Sequence, residues 1–226
     1  MRKLFTAPIA ALALAAAAPT AHAATTISST FDTGAEGWTF GSYLGFGGIG
    51  VTWDSASQAI VKPNHGFGDF GFIASSAYLG DKSDFLNGTF SFDLAASAPS
   101  AQYANRPPLV LTGANGKVIF ADSLGLPSPG FTTFSIKLNA SSFYSGSPTG
   151  TRTNVSASQF EAILADLEQV QVWGDWSPSV ETARLDNVAM AANAGVPEPA
   201  TWALMIMGFG GAGAALRRRR VAVAAI

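Results

Sequence analysis

The sequence predicts an all-β sandwich with one short helix, flanked by an N-terminal signal helix and a C-terminal transmembrane helix. Three observations predict it. Between residues 31 and 138, short apolar–polar alternations are broken every few residues by Gly, Pro, Asn and Ser, the pattern of a sandwich or barrel and not of βα units. Only one later stretch in this part of the chain has helical spacing behind a capping signal. Each end of the chain also carries an apolar, charge-free run bordered by basic residues.

In chain order, Arg2 and Lys3 precede the apolar run 4–18, and Ala21-His22-Ala23 places small residues at the two positions a signal peptidase reads. Cleavage after Ala23 is expected. An uncleaved amphipathic helix fits less well, because the run has no polar face. Residues 24–190 then suffice for one domain with a sizeable core. In 89–94, Phe90, Phe92 and Leu94 point one way while Thr89, Ser91 and Asp93 point to water, and 133–138 repeats the alternation. The runs 109–111 and 118–120 flank Asn115-Gly116, a strong hairpin signal. Ser156 with Gln159 reads as a capping box, and Phe160, Ile163, Leu164 and Leu167 recur at helical spacing, so a helix is expected over about 158–167. Val170 and Val172 open the next strand, and 183–190 is the last before a small-residue linker, 191–195.

The tail begins Val196-Pro197-Glu198-Pro199. The two prolines hold an extended stretch, so a helix can start only after Pro199. Residues 200–216 carry no charge and form a short span candidate, weakened by Gly208, Gly210, Gly211 and Gly213. Arg217, Arg218, Arg219 and Arg220 then act as a cytoplasmic stop, which places the preceding domain outside. The motif Pro197-Glu198-Pro199, the pair Trp202-Ala203, the Met- and Gly-rich span and the arginine cluster together resemble the PEP-CTERM sorting tail of Gram-negative bacteria. That resemblance implies recognition by an exosortase and delivery to the cell surface or exopolysaccharide matrix. An ordinary single-span anchor is the alternative, and residues 221–226 are a slight C-terminal extension.

Charge and composition narrow the function. Between residues 24 and 196, seven basic residues face fourteen acidic ones, a net charge of −7 that disfavours nucleic acid and anionic lipid as partners. With no cysteine, disulfides, thiolate metal sites and cysteine nucleophiles are excluded. Once His22 leaves with the leader, His65 is the one remaining histidine; it sits in a turn-like Pro63-Asn64-His65-Gly66.

The exported segment resembles a laminin B (laminin IV) module. The residues that carry the resemblance are Phe31-Asp32, Gly37-Trp38, Phe72-Ile73-Ala74, Tyr78-Leu79-Gly80-Asp81, the run 87–94, Phe160 with Ile163, Leu164 and Leu167, and Leu185-Asp186-Asn187-Val188. The segment Trp173-Gly174-Asp175-Trp176 departs from the family in lacking its usual arginine. The resemblance implies a jelly-roll β-sandwich that serves as an extracellular matrix and adhesion module, with no catalytic residues.

Candidate sites follow. Unbroken alternation puts Asp186 on the face of Arg184 and Val188, half into the sandwich, where a carboxylate needs a partner. Arg184 is one; a structural calcium ion (Ca2+) held with Asp32 is the other, since calcium accepts carboxylate and backbone oxygens. Asp81 and Asp84 read as an acid pair for sugar chemistry or, preferably, as turn residues. Trp173 and Trp176, with Tyr43, Phe46, Phe67 and Phe70, are either core or stacking platforms for glycans. The preferred function is a non-catalytic binding or structural protein associated with exopolysaccharide, with signal peptidase and exosortase as processing partners and the inner membrane as a temporary anchor. A small glycan hydrolase or lyase on the same sandwich and a permanently anchored adhesin are the alternatives.

Overall fold

A nine-residue strand near residue 190 is the spine of one sheet, and the strands it pairs with all come from residues 26–96. A computed structural model of the chain describes residues 25–45, 48–62, 69–193 and 205–211. In chain order the elements are β1 (Thr26–Ser29), β2 (Thr39–Ser42), β3 (Ile49–Gly50), β4 (Thr52–Asp54), β5 (Ala59–Val61), β6 (Phe70–Ile73), β7 (Thr89–Ala96), β8 (Leu109–Gly113), β9 (Val118–Ala121), β10 (Thr132–Lys137), β11 (Phe143–Gly146), β12 (Arg152–Asn154), α1 (Ala157–Leu164), β13 (Leu167–Trp173) and β14 (Ala183–Ala191). The first sheet runs β10-β7-β14-β5-β4, with β1 added beside β14; the second runs β12-β11-β9-β8-β13-β6-β2-β3.

The alternations at 89–94 and 133–138 become β7 and β10, paired antiparallel with Phe92 opposite Phe134 and Phe90 opposite Ile136. The Asn115-Gly116 turn joins β8 to β9: Gly116 takes a φ of +70°, which a glycine adopts without strain, and the Asn115 carboxamide accepts the Lys117 N–H at 2.9 Å. A continuous relay of ring contacts then fills the core, from Phe31 through Trp38, Tyr78, Phe90, Phe92 and Phe134 to Trp176. Where such rings carry polar atoms, these are bonded: Trp38 Nε1 donates to Ser29 Oγ at 3.1 Å, and Tyr78 OH donates to the Val188 carbonyl at 3.2 Å.

Two expectations change. The capping box forms as expected, with Ser156 and Gln159 satisfying each other's backbone N–H groups, but α1 ends at Leu164 instead of 167. Leu167 exchanges two backbone hydrogen bonds with Gly80, at 2.8 and 3.0 Å, and this long-range bridge draws it into β13 although its spacing is helical. In β14 the alternation is broken. Opposite β7 the register shifts between Asp186 and Ala189, and Asn187 sits at a φ of +48°. The extra residue flips the phase, so Leu185, Val188 and Met190 are buried, while Arg184 and Asp186 share the partly exposed face without Val188.

Residues 24–194 form one compact unit, which leaves out the two chain ends. Of the ends, the described part is the exposed helical segment 205–211. Among the described residues no helix is long and apolar enough to cross a membrane. The leader residues Ala21 and Ala23, the sorting residues Pro197, Glu198, Pro199, Trp202 and Arg217–220, and also His65, Phe46 and Phe67, lie outside the described residues.

Candidate functional site

The bulge at Asn187 brings two carboxylates of neighbouring strands face to face. Asp186 lies directly opposite Asp93 across β14 and β7, a like-charge pairing that destabilises a sheet unless something bridges it. The Asn187 side-chain amide does so, donating to Asp93 Oδ2 at 2.9 Å and to Asp186 Oδ2 at 3.2 Å, while the Asn187 backbone N–H donates to Asp186 Oδ1 at 2.7 Å. Burial pushes the Asp186 carboxyl above its ordinary range; the Asn187 backbone hydrogen bond opposes this, and the charges of Asp93, Asp32 and Glu36 add to it. Asp32 therefore does lie within electrostatic reach of Asp186, and its own carboxylate accepts the Thr30 hydroxyl at 2.7 Å. Arg184 is not the partner: its guanidinium donates to the Pro129 carbonyl at 3.4 Å and lies over the Phe131 ring. No ion pair among the described residues includes Asp32, Glu36, Asp93 or Asp186. The oxygen donors suit a hard cation such as calcium. Even so, among the described residues no three His, Cys, Asp or Glu side chains are grouped to hold a metal ion.

Trp173 and Trp176 do not present a face to a sugar. Both rings are fully buried, because the loop after β13 folds back under them: Trp173 Nε1 donates to the Asp175 carbonyl at 2.7 Å and Trp176 Nε1 to the Trp173 carbonyl at 3.0 Å. The same loop holds a buried ionic group that no sequence pattern announces. Lys62 Nζ lies 2.7 Å from Asp175 Oδ1 and 3.7 Å from Glu181 Oε1, with side chains 3% or less exposed. Glu181 also accepts the Trp176 N–H, and its second oxygen has no hydrogen-bond partner. Desolvation raises the Glu181 carboxyl above its ordinary range, against the lowering effects of the Trp176 N–H and the Lys62 charge. Two acids facing one ammonium in a dry site make it costly to charge both, and Glu181 is the acid shifted upward. The group ties the β13–β14 loop to the end of β5; it is a structural clasp.

Asp81 behaves as a turn residue: its carboxylate accepts the Ser83 N–H at 2.9 Å, which holds it below the usual carboxylate range. Asp84 follows in the exposed first turn of the 3-10 helix Ser83–Phe85. Sequence reasoning passed over Arg106 and Arg152. Arg106 pairs with Asp69 at 3.3 Å and lies over the rings of Tyr103 and Trp173, and Arg152 covers the Tyr144 ring at 4.1 Å. Arginines isolated in irregular stretches, before Pro107-Pro108 and between Thr151 and Thr153, give no periodic signal.

Residues 72–203 match the family described as Laminin B (Domain IV), and residues 195–220 match the PEP-CTERM protein-sorting motif. Among solved structures, the L4b domain of human laminin alpha-2 is similar at 13% identity with a TM-score of 0.59, covering 74% of this chain and 96% of that one. An agarase structure shows a weaker likeness, 14% identity and a TM-score of 0.44, over 76% of this chain but 25% of that one. An exo-beta-agarase does so at 14% identity and a TM-score of 0.37, over 74% and 24%. No curated protein matches the sequence. With more than half of its length matched and the sandwich shared, the chain belongs to the Laminin B (Domain IV) family, and its PEP-CTERM motif implies export, exosortase processing and cell-surface sorting.

Proposed function

We propose that the exported domain is a non-catalytic binding and structural module of the extracellular polysaccharide, released into it when the tail is processed. In this reading residues 1–23 are a signal peptide and 24–190 the sandwich. Residues 191–195 are a linker, 196–220 the sorting tail with a transmembrane helix over about 200–216, and 221–226 an extension. The observation that carries it is the union of a Laminin B sandwich with a surface-sorting tail on one chain. The carboxylates add support: Asp81 is spent in a turn, and Asp175 and Glu181 are committed to a buried clasp. Mass spectrometry of the mature C-terminus, with fractionation of the cell surface and its polysaccharide, tests the reading. The expected result is a chain shortened near Pro197 and retained with the polysaccharide. A full-length chain held in the inner membrane would favour the anchored adhesin, and turnover of the host's own polysaccharide would favour the hydrolase or lyase.

Calcium at Asp32 and Asp186 belongs to the same proposal. A hard cation would offset the repulsion from Asp93, Asp32 and Glu36 that adds to burial in raising the Asp186 carboxyl. Titrating calcium into chelator-treated protein should release heat and raise the melting temperature, with Asp186→Asn abolishing both. Neither effect in the unsubstituted protein would remove the ion from the proposal.

A further inference from the structure

The buried group around Lys62 holds one acid more than an ion pair needs. Lys62 directly follows β5 of the first sheet, Asp175 lies two residues past β13 of the second, and Glu181 two residues before β14. Hydrogen bonds fix all three in place. The Lys62 N–H donates to the Ala183 carbonyl at 2.9 Å, the Asp175 carbonyl accepts Trp173 Nε1 at 2.7 Å, and Glu181 Oε1 accepts the Trp176 N–H. Lys62 is buried up to its ammonium and both acidic side chains are fully buried, so the site is dry.

As a plain ion pair the arrangement is poor. One ammonium faces two carboxyl groups, and Glu181 Oε2 is buried with no hydrogen-bond partner, a cost that a lone Lys62–Asp175 pair would avoid. As a reaction site the same three groups each have a task. Lys62 Nζ lies 2.7 Å from Asp175 Oδ1, so the carboxyl carbon, one C=O bond further on, is no more than about 4 Å away. Reacting atoms in a near-attack pair stand roughly 3–3.5 Å apart. Glu181 Oε1 is 3.7 Å from the same nitrogen, and its carboxyl, raised by desolvation, can give one proton and take another. In water an ammonium and a carboxylate keep their charges and do not combine. In a dry site, a proton passed from one to the other replaces two buried charges with two neutral groups.

A bond here also does what no other link in the domain can. The chain has no cysteine, so no disulfide staples it. Lys62 and Asp175 are 113 positions apart and follow strands of different sheets, so a covalent link between them ties one sheet to the other.

We propose that Lys62 Nζ and Asp175 Cγ condense into an amide, an internal cross-link that the domain forms on itself with Glu181 as general acid and base. The 2.7 Å contact is the arrangement before reaction. The ammonium passes a proton to the Asp175 carboxylate, and the nitrogen lone pair attacks Cγ to form the C–N bond. Glu181 takes a proton from the nitrogen and gives its own to the departing hydroxyl; the C–O bond breaks and one water leaves. Nothing is oxidised or reduced, and Glu181 ends as it began. The inference does not depend on the polysaccharide reading above.

Mass spectrometry of the full chain, purified in mild detergent and then unfolded in urea, tests it. The unsubstituted protein should weigh one water less than its sequence between the same ends, and a protease digest should contain a fragment in which the Lys62 and Asp175 segments are joined. In the unfolded protein Lys62 should resist an amine-acylating reagent that modifies Lys82, Lys117 and Lys137. Lys62→Met should carry the full mass. Glu181→Gln keeps both bonding partners and an acceptor for the Trp176 N–H, and should slow the appearance of the linked form at least about 100-fold. Unsubstituted protein at full mass, with Lys62 acylated like the other lysines, overturns the cross-link and leaves the clasp an ion pair. A water lost elsewhere in the chain overturns it equally. A link that forms as fast in Glu181→Gln as in the unsubstituted protein overturns the role of Glu181.

Discussion

Replacing Lys62 with Met tests the buried clasp directly. The methionine stem fills most of the volume of the lysine chain, so packing is largely kept while the ammonium is lost. Asp175 and Glu181, both with fully buried side chains, then face each other without the cation that lies 2.7 Å from one and 3.7 Å from the other. Breaking a buried pair from one side costs about 3–5 kcal/mol, against about 0–1 kcal/mol for an exposed pair. For a domain of this size, that corresponds to a fall in melting temperature of about 6–20 °C instead of less than about 4 °C. Thermal unfolding followed by circular dichroism at neutral pH measures it. The deficit should shrink on acidification, because a carboxylate that takes up a proton no longer needs the ammonium, and Glu181 is the acid already shifted upward. A fall below about 4 °C, or one that is independent of pH, would refute the reasoning.

Glu181→Gln keeps an acceptor for the Trp176 N–H and removes one charge. Because the folded Glu181 carboxyl titrates above its ordinary value of 4.5, the folded state holds its proton more tightly than the unfolded chain, so its contribution falls as pH rises through that window. The Gln variant should therefore gain on the unsubstituted protein between about pH 4.5 and neutrality in parallel urea titrations; parallel curves would refute the shift. Asn187→Gly keeps the positive φ but removes the amide bridging Asp93 and Asp186, and should lose about 1–2 kcal/mol at neutral pH, less in acid. An unchanged urea midpoint would show that the bridge contributes nothing. Trp176→Ala should lose about 3–5 kcal/mol, because the ring is fully buried and stacks on Phe134 at 6.5 Å. A variant that melts with the unsubstituted protein would mean that Trp176 lies at the surface.

What was legible in the sequence was local. The strands at 89–94 and 133–138 rest on period-two alternation, the β8–β9 hairpin on Asn115-Gly116, and the start of α1 on the reciprocal bonds of Ser156 and Gln159. Each is decided within a few residues, where backbone preference and nearest neighbours suffice. The laminin B resemblance and the sorting tail were legible for the same reason, as ordered short patterns confirmed by the matches over 72–203 and 195–220.

Tertiary structure decided the rest, because the competing interactions join residues far apart in the chain. Gly80 takes Leu167 out of a helix its spacing favours, and one bulged residue at Asn187 moves Val188 off the face that alternation assigns it with Arg184 and Asp186. Lys62 finds Asp175 across 113 positions, a pairing no local pattern encodes. Whether Trp173 and Trp176 face solvent depends on a loop folding beneath them. A residue's own chemistry is written at its position; its exposure, partner and charge state are set by whichever distant groups the closed sandwich packs against it.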